Sequence, residues 1–598
     1  MIKTNPDLQK YMDKILSLEE EQMMCLGSEL EERAAQMADK AAIIYQDQTI
    51  SYGELNKMSN RYAHYFQAEG FKKGDVVALL MENRPEYLIA AIGLSKLGVI
   101  VSLINTVIRG ERLAHAINIS EARAIIVGHE MMDVYNSIIQ GIRLKSPAKV
   151  LVETQGQVVN LPAGMQALNP LLESYSTDNP GTTSSISSED TFIYMETAGS
   201  TGLRKAVAIP HKRWLIMGCQ FTMISELNPE SVLYMCVPLY YNLGFNVCFS
   251  SMILSGCTMV VRKRFSVSNF WPEVHKYKVS HFNAVGEMLR YICDQPAKPD
   301  DGDNSLKYVV ANSVRGDITI PWHQRFGIKH FTEVYGTTEG VGTFANEEEI
   351  SGMCGNLNFR GMRQGEIVAF DTETEQILRG EDGWAIKCMP GQSGILLGKI
   401  NELNKFLGYV NEPESTDAKI VRNVFAAGDQ YYNTGDILQL HDGDYISFVE
   451  RTGDTYRWKS KTVSAIQVAD VLNKFFGGID EAYVYGVKMP GMEGRCGMAV
   501  LVLLEGVPLD WKGLVDHINR RMPPHARPVF IRICEQIDFK KMKSKLQKEG
   551  FDPGLIKDPL YYYDPEKNAY IPLTKELYPD IAANKIRVYR AKRCPPLL

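Results

Sequence analysis

Paired cysteines are missing from this sequence. Its eleven Cys are scattered singly from Cys25 to Cys594, with no CxxC pair and no His at metal-ligand spacing from them. This pattern is typical of reduced thiols and argues against a disulfide framework and a structural zinc site. We therefore expect a chain from a reducing, cytoplasmic compartment.

An excess of basic residues is also missing. The chain carries 65 Lys and Arg against 71 Asp and Glu, a formal net charge of -6. Without a basic footprint, duplex nucleic acid is not expected as a partner. A small or lipidic substrate fits this charge balance better.

No secretion signal is evident, because the first residues mix both charge signs and lack an apolar core of signal-peptide length. One uncharged stretch, 231–261, is long enough to cross a bilayer, but Pro238, Asn242, Gly244 and Asn246 interrupt it. It can form a buried strand and helix beneath an active site, dock on a membrane surface or span the membrane. We favour the buried reading, and expect a cytoplasmic protein or one that is peripheral on the cytoplasmic face of a membrane.

The chain alternates helical periodicity with short β-branched runs such as "VVALL" and "VIVSLI", and it shows no internal repeat. This rhythm predicts α/β layers, and 598 residues exceed one ordinary core. We expect an α/β fold with a large N-terminal domain of layered sheets and helices, residues 1–450, and a small C-terminal α+β domain, residues 455–598. Residues 424–460 read as paired strands with Gly-Asp turns.

A Gly-rich loop follows the apolar run "TFIYM". The loop "TAGSTGLRK" is not a Walker A motif, since Gly199 and Gly202 are only three apart and Lys205 precedes an alanine. Its glycines expose backbone N–H groups, and Lys205 supplies positive charge. Further hydroxyl donors are Thr197, Ser200 and Thr201. The loop can bind an anion such as phosphate, although an ordinary Gly-rich turn has the same appearance.

A second short motif, "TEVYGTTEG", places Tyr335, Thr337, Thr338 and Glu339 in one turn. An aromatic ring can stack on a purine, a hydroxyl can reach a phosphate and a carboxylate can bind Mg²⁺. Taken alone, the motif could be a surface turn.

Two later turns carry a carboxylate and a guanidinium. "YNTGD" ends in Asp436 and "ERTGD" includes Arg451, groups that suit ribose hydroxyls. Each could be a surface turn, but the order and spacing of all these motifs together indicate a nucleotide site.

With these motifs the sequence resembles the adenylate-forming (acyl-CoA synthetase) superfamily, and within it the fatty acid transport protein or very-long-chain acyl-CoA synthetase branch. The resemblance runs from about residue 50 to about residue 575. The stretches that carry it include "LLMENRPEYLIAAIGLSKLGVIVSLINT", "VPLYYNLGFN", "VYGTTE", "GYVNEPES", "YNTGD", "RTGDTYRW" and "LQKEGFDP".

The resemblance implies a two-step reaction that uses ATP, Mg²⁺ and CoA. A fatty acid or other apolar carboxylate attacks the α-phosphate to give an acyl adenylate and pyrophosphate, and the CoA thiol then displaces AMP. It also implies a mobile C-terminal domain that rotates about a hinge at 451–454 after adenylation.

The resemblance further implies roles for individual residues. Tyr335 lies against adenine with Gly336 and Thr337 beside it, Thr338 contacts the α-phosphate, and Glu339 holds Mg²⁺. Asp436 and Arg451 take the ribose. Lys540 bridges carboxylate and α-phosphate, and the segment at Arg457 reaches the site after rotation. The loop that cradles the β- and γ-phosphates consists of Thr197, Ala198, Gly199, Ser200, Thr201, Gly202 and Lys205.

An acyl pocket is expected from a mixture of small and aromatic residues in "LYYNLGFN" and "HFNAVGEML". Plain core packing would give the same composition, and chain length is not encoded there. The candidates are Tyr241, Phe245, Ala284, Val285 and Gly286.

Several positions depart from the family pattern. Arg204 replaces Pro and Ala198 replaces Ser in the phosphate loop, and Tyr241 replaces a common His. The residues before Lys540 are "QID" instead of "TGT". Ser460-Lys461 replaces Gly-Glu, where CoA would pass.

The resulting hypothesis is an AMP-forming long-chain or very-long-chain fatty acid:CoA ligase. One alternative is an acyl-AMP ligase that loads a carrier protein or another thiol. A second is a lipid-binding or uptake protein that has lost catalysis. The sequence leaves the oligomeric state open.

Overall fold

The computed structural model describes residues 6–18, 23–157, 160–197, 205–314, 318–371, 374–451, 455–458, 461–490, 492, 495–535, 545–586 and 588.

The strands of the N-terminal half are β1 Ala41–Tyr45, β2 Gln48–Ser51, β3 Val76–Leu80, β4 Ile100–Leu103, β5 Ala124–Gly128, β6 Lys149–Glu153, β7 Met165–Ala167, β8 Thr191–Thr197, β9 Lys205–Pro210, β10 Val232–Met235, β11 Thr258–Val261, β12 His281–Val285, β13 Tyr308–Asn312, β14 His330–Gly336 and β15 Thr343–Ala345. The later strands are β16 Gly355–Asn356, β17 Asn358–Phe359, β18 Met362–Arg363, β19 Gly365–Val368, β20 Phe370–Asp371, β21 Gln376–Ile377, β22 Ser393–Lys399, β23 Ile420–Arg422, β24 Gln430–Leu440, β25 Tyr445–Arg451, β26 Thr455–Trp458, β27 Lys461–Ser464, β28 Ile479–Lys488, β29 Arg495–Leu503, β30 Phe530–Cys534, β31 Leu560–Asp564 and β32 Ala569–Pro572.

The helices are α1 Pro6–Ser17, α2 Leu26–Gln36, α3 Tyr52–Ala68, α4 Pro85–Ser95, α5 Gly110–Ile119, α6 Met132–Asn136, α7 Leu168–Leu172, α8 His211–Ile224, α9 Ser250–Ser255, α10 Val267–Tyr277, α11 Gly286–Cys293, α12 Thr319–Gln324, α13 Pro413–Asp417, α14 Ala465–Asn473, α15 Trp511–Arg521 and α16 Tyr578–Ala582. A π-helical segment at Leu243–Phe249 leads directly into α9.

The first sheet has the strand order β7-β6-β5-β3-β4-β8-β9 and is parallel except for the final β8/β9 pair. Its central strands are the β-branched runs "VVALL" and "IVSL", whose residues are nearly all buried. Continuous apolar runs of this kind suit a parallel sheet that is covered on both faces. The predicted α/β layering is therefore confirmed in this part of the chain.

The second sheet has the order β15-β14-β13-β12-β10-β11-β1-β2 and is parallel from β14 to β1. In a parallel sheet the carboxyl ends of the strands meet at one edge, which is where ligands bind in open α/β folds. β12, β13 and β14 thus bring Val285, Asn312 and Gly336 to the same edge.

The third sheet is antiparallel, with the order β16-β25-β24-β22-β19 and β23 added against β24. It confirms the strand pairing predicted within residues 424–460. "NTGD" lies within β24, however, and is not a hairpin turn. Ile437 pairs with Ile395 and Asn433 pairs with Leu397, so four positions along β24 lie opposite only two along β22. The extra residues of β24 form a bulge around Gly435. Gly435 has φ 77°, which suits glycine.

The C-terminal part has its own hydrophobic core, built from residues between Tyr456 and Val588. Its main sheet has the order β28-β29-β30-β31-β32, and β26/β27 form a separate hairpin. This matches the expected small α+β domain. The predicted hinge begins at the last residue of β25, and residues 452–454 lie outside the described ranges, so its position stays a prediction.

The uncharged stretch 231–261 folds into β10, the π-helical segment, α9 and β11, and most of its residues are buried. The buried strand and helix favoured from the sequence is therefore confirmed. Within the described ranges, no helix combines the length and the apolarity that a membrane span requires.

Candidate active site

A cavity of about 590 Å³ opens at the carboxyl edge of the second sheet. One wall is the strand ends around Val285, Asn312 and Gly336, and the π-helical segment closes another side. Tyr241 and Val285, two of the predicted acyl-pocket residues, line this cavity. The same cavity is lined by Gly336, Thr337 and Thr338 from the predicted nucleotide motif. An apolar pocket and the nucleotide motif therefore share one space.

The other three acyl-pocket candidates lie behind the cavity wall. Phe245 is fully buried and its ring packs against those of Phe192 and Phe249. Ala284 is fully buried in β12, next to the lining residue Val285. A Cβ on Gly286 would lie 2.1 Å from the Ser313 carbonyl oxygen, so this glycine allows α11 to approach the loop after β13. Direct substrate contact by these residues stays a prediction.

Helix α8 supplies a cavity wall that the sequence did not reveal. Arg213, Met217 and Phe221 recur every four residues and all face the cavity. Every residue of α8 is buried, so no polar face marks its orientation. The four-residue spacing of these side chains was visible in the sequence, but it indicates a cavity wall only when the position of the cavity is known.

On the nucleotide side, the structure brings Tyr335 and Asp436 together. The Tyr335 hydroxyl donates a hydrogen bond of 2.5 Å to Oδ2 of Asp436, although the two residues are 101 positions apart. Asp436 lies opposite Arg451 in the β24/β25 register. The bulge around Gly435 immediately precedes Asp436, so a local change in β24 positions the carboxylate.

Lys205 and Glu339 are linked through the segment "GYVNE". Lys205 Nζ lies 3.3 Å from Glu412 Oε2 and 5.0 Å from the centre of the Tyr409 ring. The Tyr409 hydroxyl donates a 2.9 Å hydrogen bond to Glu339 Oε1. The Val410 amide donates a hydrogen bond to the Ala206 carbonyl oxygen, which holds this segment against β9. The sequence singled out this segment only for its resemblance and missed Tyr409 as a site residue.

A second tyrosine lies beside the contact between Tyr409 and Glu339. The Tyr432 hydroxyl lies 3.4 Å from the Tyr409 hydroxyl, and burial together with the nearby Glu339 charge raises the pKa of Tyr432 well above its ordinary value. Tyr432 therefore stays neutral. The Tyr409 hydroxyl, next to Tyr432, thus orients the carboxylate that was predicted to hold Mg²⁺.

Part of the predicted site lies outside the described residues. This applies to Lys540, to the side chains of Arg451 and Arg457, and to the loop residues Ala198, Gly199, Ser200, Thr201 and Gly202. The two ends of the loop are described: buried Thr197 and half-buried Lys205 face each other across β8 and β9.

Glu333 is an unusual carboxyl near the nucleotide motif. It lies on β14 two residues before Tyr335, and its Oε1 accepts a 3.1 Å hydrogen bond from the Val314 amide. Burial raises the pKa of Glu333 to about 7, and that single amide bond lowers it by less. A carboxyl next to the predicted adenine position therefore changes charge near neutral pH.

The sequence matches the family of AMP-binding enzymes over residues 30–383 and the AMP-binding enzyme C-terminal domain over residues 476–545. It is 34% identical to long-chain fatty acid transport protein 6 of Mus musculus over 92% of this chain and 89% of that protein. It is 32% identical to the medium/long-chain-fatty-acid–CoA ligase FadD6 of Mycobacterium tuberculosis, over 93% of this chain and 90% of that protein.

Solved structures with the same fold include the anthranilate CoA ligase AuaEII in complex with anthranoyl-AMP. It aligns with a TM-score of 0.66 at 18% identity, over 87% of this chain and 97% of that one. A fatty acyl CoA synthetase of Mycobacterium tuberculosis aligns with a TM-score of 0.61 at 19% identity, over 88% of this chain and 98% of that one. At these identities the likeness concerns the fold alone.

The raised pKa of Glu333 predicts a pH-dependent stability. Because the pKa in the folded state is about 7, above the ordinary 4.5, its contribution is fully present below pH 4.5 and is lost as the pH rises through 7. Relative to Glu333→Gln, the wild type should lose roughly 1–3 kcal/mol of stability between pH 5 and pH 8.5. Thermal or urea unfolding of both proteins across this range measures the difference.

Glu381→Gln serves as the matched control because Glu381 is exposed. Its stability difference from wild type should not vary over the same pH range. A Glu333→Gln difference that is also independent of pH would contradict a buried, neutralised carboxyl at this position.

Proposed function

This chain belongs to the AMP-binding enzyme family, and we propose that it joins a long-chain or very-long-chain fatty acid to CoA through an acyl adenylate, releasing AMP and pyrophosphate. The substrate class is supported by the fatty acid transport protein and fatty-acid–CoA ligase relatives. Its co-substrates are ATP and CoA, and its metal ion is Mg²⁺.

The observation that carries this proposal is the shared cavity. Its body is lined by apolar side chains such as Met217, Phe221 and Met288, and Thr337 and Thr338 of the nucleotide motif line it as well. An apolar carboxylate that fills the body would therefore present its head group to the phosphates. A separate lipid pocket would not need to include the nucleotide motif.

The chemistry requires two anions to meet. In the first step a carboxylate oxygen forms a bond to the α-phosphorus, and the bond from that phosphorus to pyrophosphate breaks. In the second step the CoA thiol sulfur gives up its proton and forms a bond to the acyl carbonyl carbon, and the bond from that carbon to the AMP phosphate oxygen breaks. Positive charge placed beforehand around the phosphates lowers the barrier of the first step. We assign this role to Lys205 and Lys540, with Thr338 at the α-phosphate.

Glu339 suits the Mg²⁺ that accompanies ATP. Mg²⁺ prefers oxygen ligands, and the Tyr409 hydroxyl orients this carboxylate without adding a competing cation. Bound there, the ion would neutralise phosphate charge. Tyr335 and Asp436 are assigned to adenine and ribose, together with Arg451.

Completion of the site depends on the C-terminal domain in this proposal. Lys540 serves adenylation, and rotation about residues 451–454 then replaces it with the segment at Arg457 for the thioester step. Support comes from the separate hydrophobic core of this domain, which allows it to move as a unit.

A second candidate, loading of a carrier protein or another thiol, is favoured by Ser460-Lys461, because Ser460 adds a Cβ where the family glycine would let CoA pass. A catalytically silent lipid-binding protein is disfavoured by the retained Lys205, Glu339 and Asp436. The test is AMP and acyl-thioester formation across a panel of fatty acids and other apolar carboxylates, with and without CoA. Adenylate that accumulates and is not consumed by CoA would favour the carrier-loading enzyme, and bound lipid without ATP turnover the silent protein.

We also propose peripheral attachment to the cytoplasmic face of a membrane. The support is a cavity rim that mixes exposed apolar and basic residues: Val107 and Tyr241 are 70% and 45% exposed, and Lys263 and Arg264 are exposed beside them. Alkaline carbonate should release the protein from membranes. A requirement for bilayer-solubilising detergent would contradict this location.

Glu339→Gln and Lys540→Ala should fold normally and lose acyl-adenylate formation by roughly 10²–10³-fold, because both changes remove electrostatic contacts to the phosphates. Pyrophosphate release with a fatty acid and ATP measures the first step directly. Glu381→Gln and Lys541→Ala are the matched controls and should keep wild-type rates. Wild-type pyrophosphate release by either site variant would refute that residue's assignment.

A further inference from the structure

Arg213 is a buried cation that faces the cavity. Arg213 is only 5% exposed, and it lines the same cavity as Thr338. A buried charge is costly unless an opposite charge or several hydrogen bonds compensate it. The partners of this guanidinium therefore indicate whether its role is structural.

The compensation that the protein itself supplies is weak. Among the described residues, Arg213 forms no ion pair, and its hydrogen bond from Nη1 to Asn404 Oδ1 is long at 3.4 Å. Glu82, the carboxylate among the lining residues, is paired with Lys263 at 2.6 Å. Burial alone lowers the pKa of Arg213 to about 10, so it stays positively charged at neutral pH with no carboxylate offsetting the effect.

The position of Arg213 in its helix makes a neighbouring anion more favourable. Arg213 lies in the first turn of α8, where the helix dipole is positive and disfavours a cation. By comparison, other buried cations of this protein are neutralised within the fold. Arg84 has Glu130 at 3.1 Å, and Lys96 has Glu31 at 2.8 Å.

The position of the guanidinium is fixed by its neighbours. A Cβ on Gly340 would lie 2.1 Å from Arg213 Nε, so the guanidinium packs directly against the backbone that follows Glu339. Met217 and Phe221 continue the same face of α8 along the apolar body. A cation at one end of an apolar wall, next to the phosphate motif, matches the shape of a fatty acid.

We propose that Arg213 binds the carboxylate head group of the acyl substrate and orients it toward the α-phosphate at Thr338. This inference rests on the proposed ligase function and names a substrate-binding residue for it. The anion from the substrate supplies the missing counter-charge, and the planar guanidinium matches a carboxylate with two parallel hydrogen bonds. Arg213 thereby selects ionised acids over other apolar molecules of equal length.

The test compares binding of dodecanoate and 1-dodecanol, which share a chain and differ in the head group, by calorimetry at pH 8 without ATP. The wild type should bind the acid roughly 10–100-fold more tightly, as hydrogen bonds to charged groups contribute about 1.5–3 kcal/mol. Arg213→Gln should reduce this preference to about threefold or less, and Arg213→Lys should retain part of it. Arg143→Gln, which removes an exposed cation that is not among the residues lining the cavity, should keep the wild-type preference.

Several outcomes would overturn the assignment. These are a wild type without preference for the acid, an Arg213→Gln variant that keeps the preference, and a variant that loses affinity for ATP while binding dodecanoate normally. If Arg213→Gln does not fold, as judged by circular dichroism, Arg213→Lys and the wild-type ratio decide. A failed ligase function is recognised separately, because the wild type would then form no AMP or thioester while the head-group preference could still be measured.

Discussion

The constraint on which this site depends is that two anions must meet inside a protein. A carboxylate and a triphosphate repel each other, and the repulsion grows as water is excluded. The fold brings cations and a carboxylate together from three elements. Arg213 lines the cavity from the start of α8. Lys205 on β9 and Glu339, three residues after β14, are joined through the segment 408–412. Each is positioned by a different element, so the charge arrangement requires the assembled sheets.

The third sheet connects these elements to the residues proposed for the nucleotide. Its strand β24 contains Tyr432, whose hydroxyl lies 3.4 Å from that of Tyr409, and Asp436, which accepts a hydrogen bond from Tyr335. The bulge at Gly435 separates the two contacts. The segment that contains Tyr409 pairs with β9 and contacts Glu339 as well. The residues proposed for phosphate, metal and ribose are therefore linked through packed contacts, and a shift of β24 would displace all three groups.

The sequence predicted the elements with a strong local signature. The β-branched runs of the first sheet, the motif from Tyr335 to Glu339 and the paired strands within residues 424–460 were all visible as patterns, although Tyr335 lies at the end of β14 and not in the turn. Residues whose role depends on packing were not recognisable from such patterns. Arg213 sits in a helix buried on every side, and Phe245 resembles a pocket residue although its ring packs into the core. Gly435 was read as a turn because a bulge and a hairpin use the same glycine.

The most direct measurement follows oxygen atoms through the reaction. Dodecanoate labelled with ¹⁸O at both carboxylate oxygens is incubated with the protein, ATP, Mg²⁺ and CoA, and the products are analysed by mass spectrometry. If the carboxylate attacks the α-phosphorus, AMP receives one ¹⁸O and the acyl-CoA carbonyl keeps the other. Label in pyrophosphate or inorganic phosphate, or AMP without label, would contradict an acyl-adenylate path and with it the central claim.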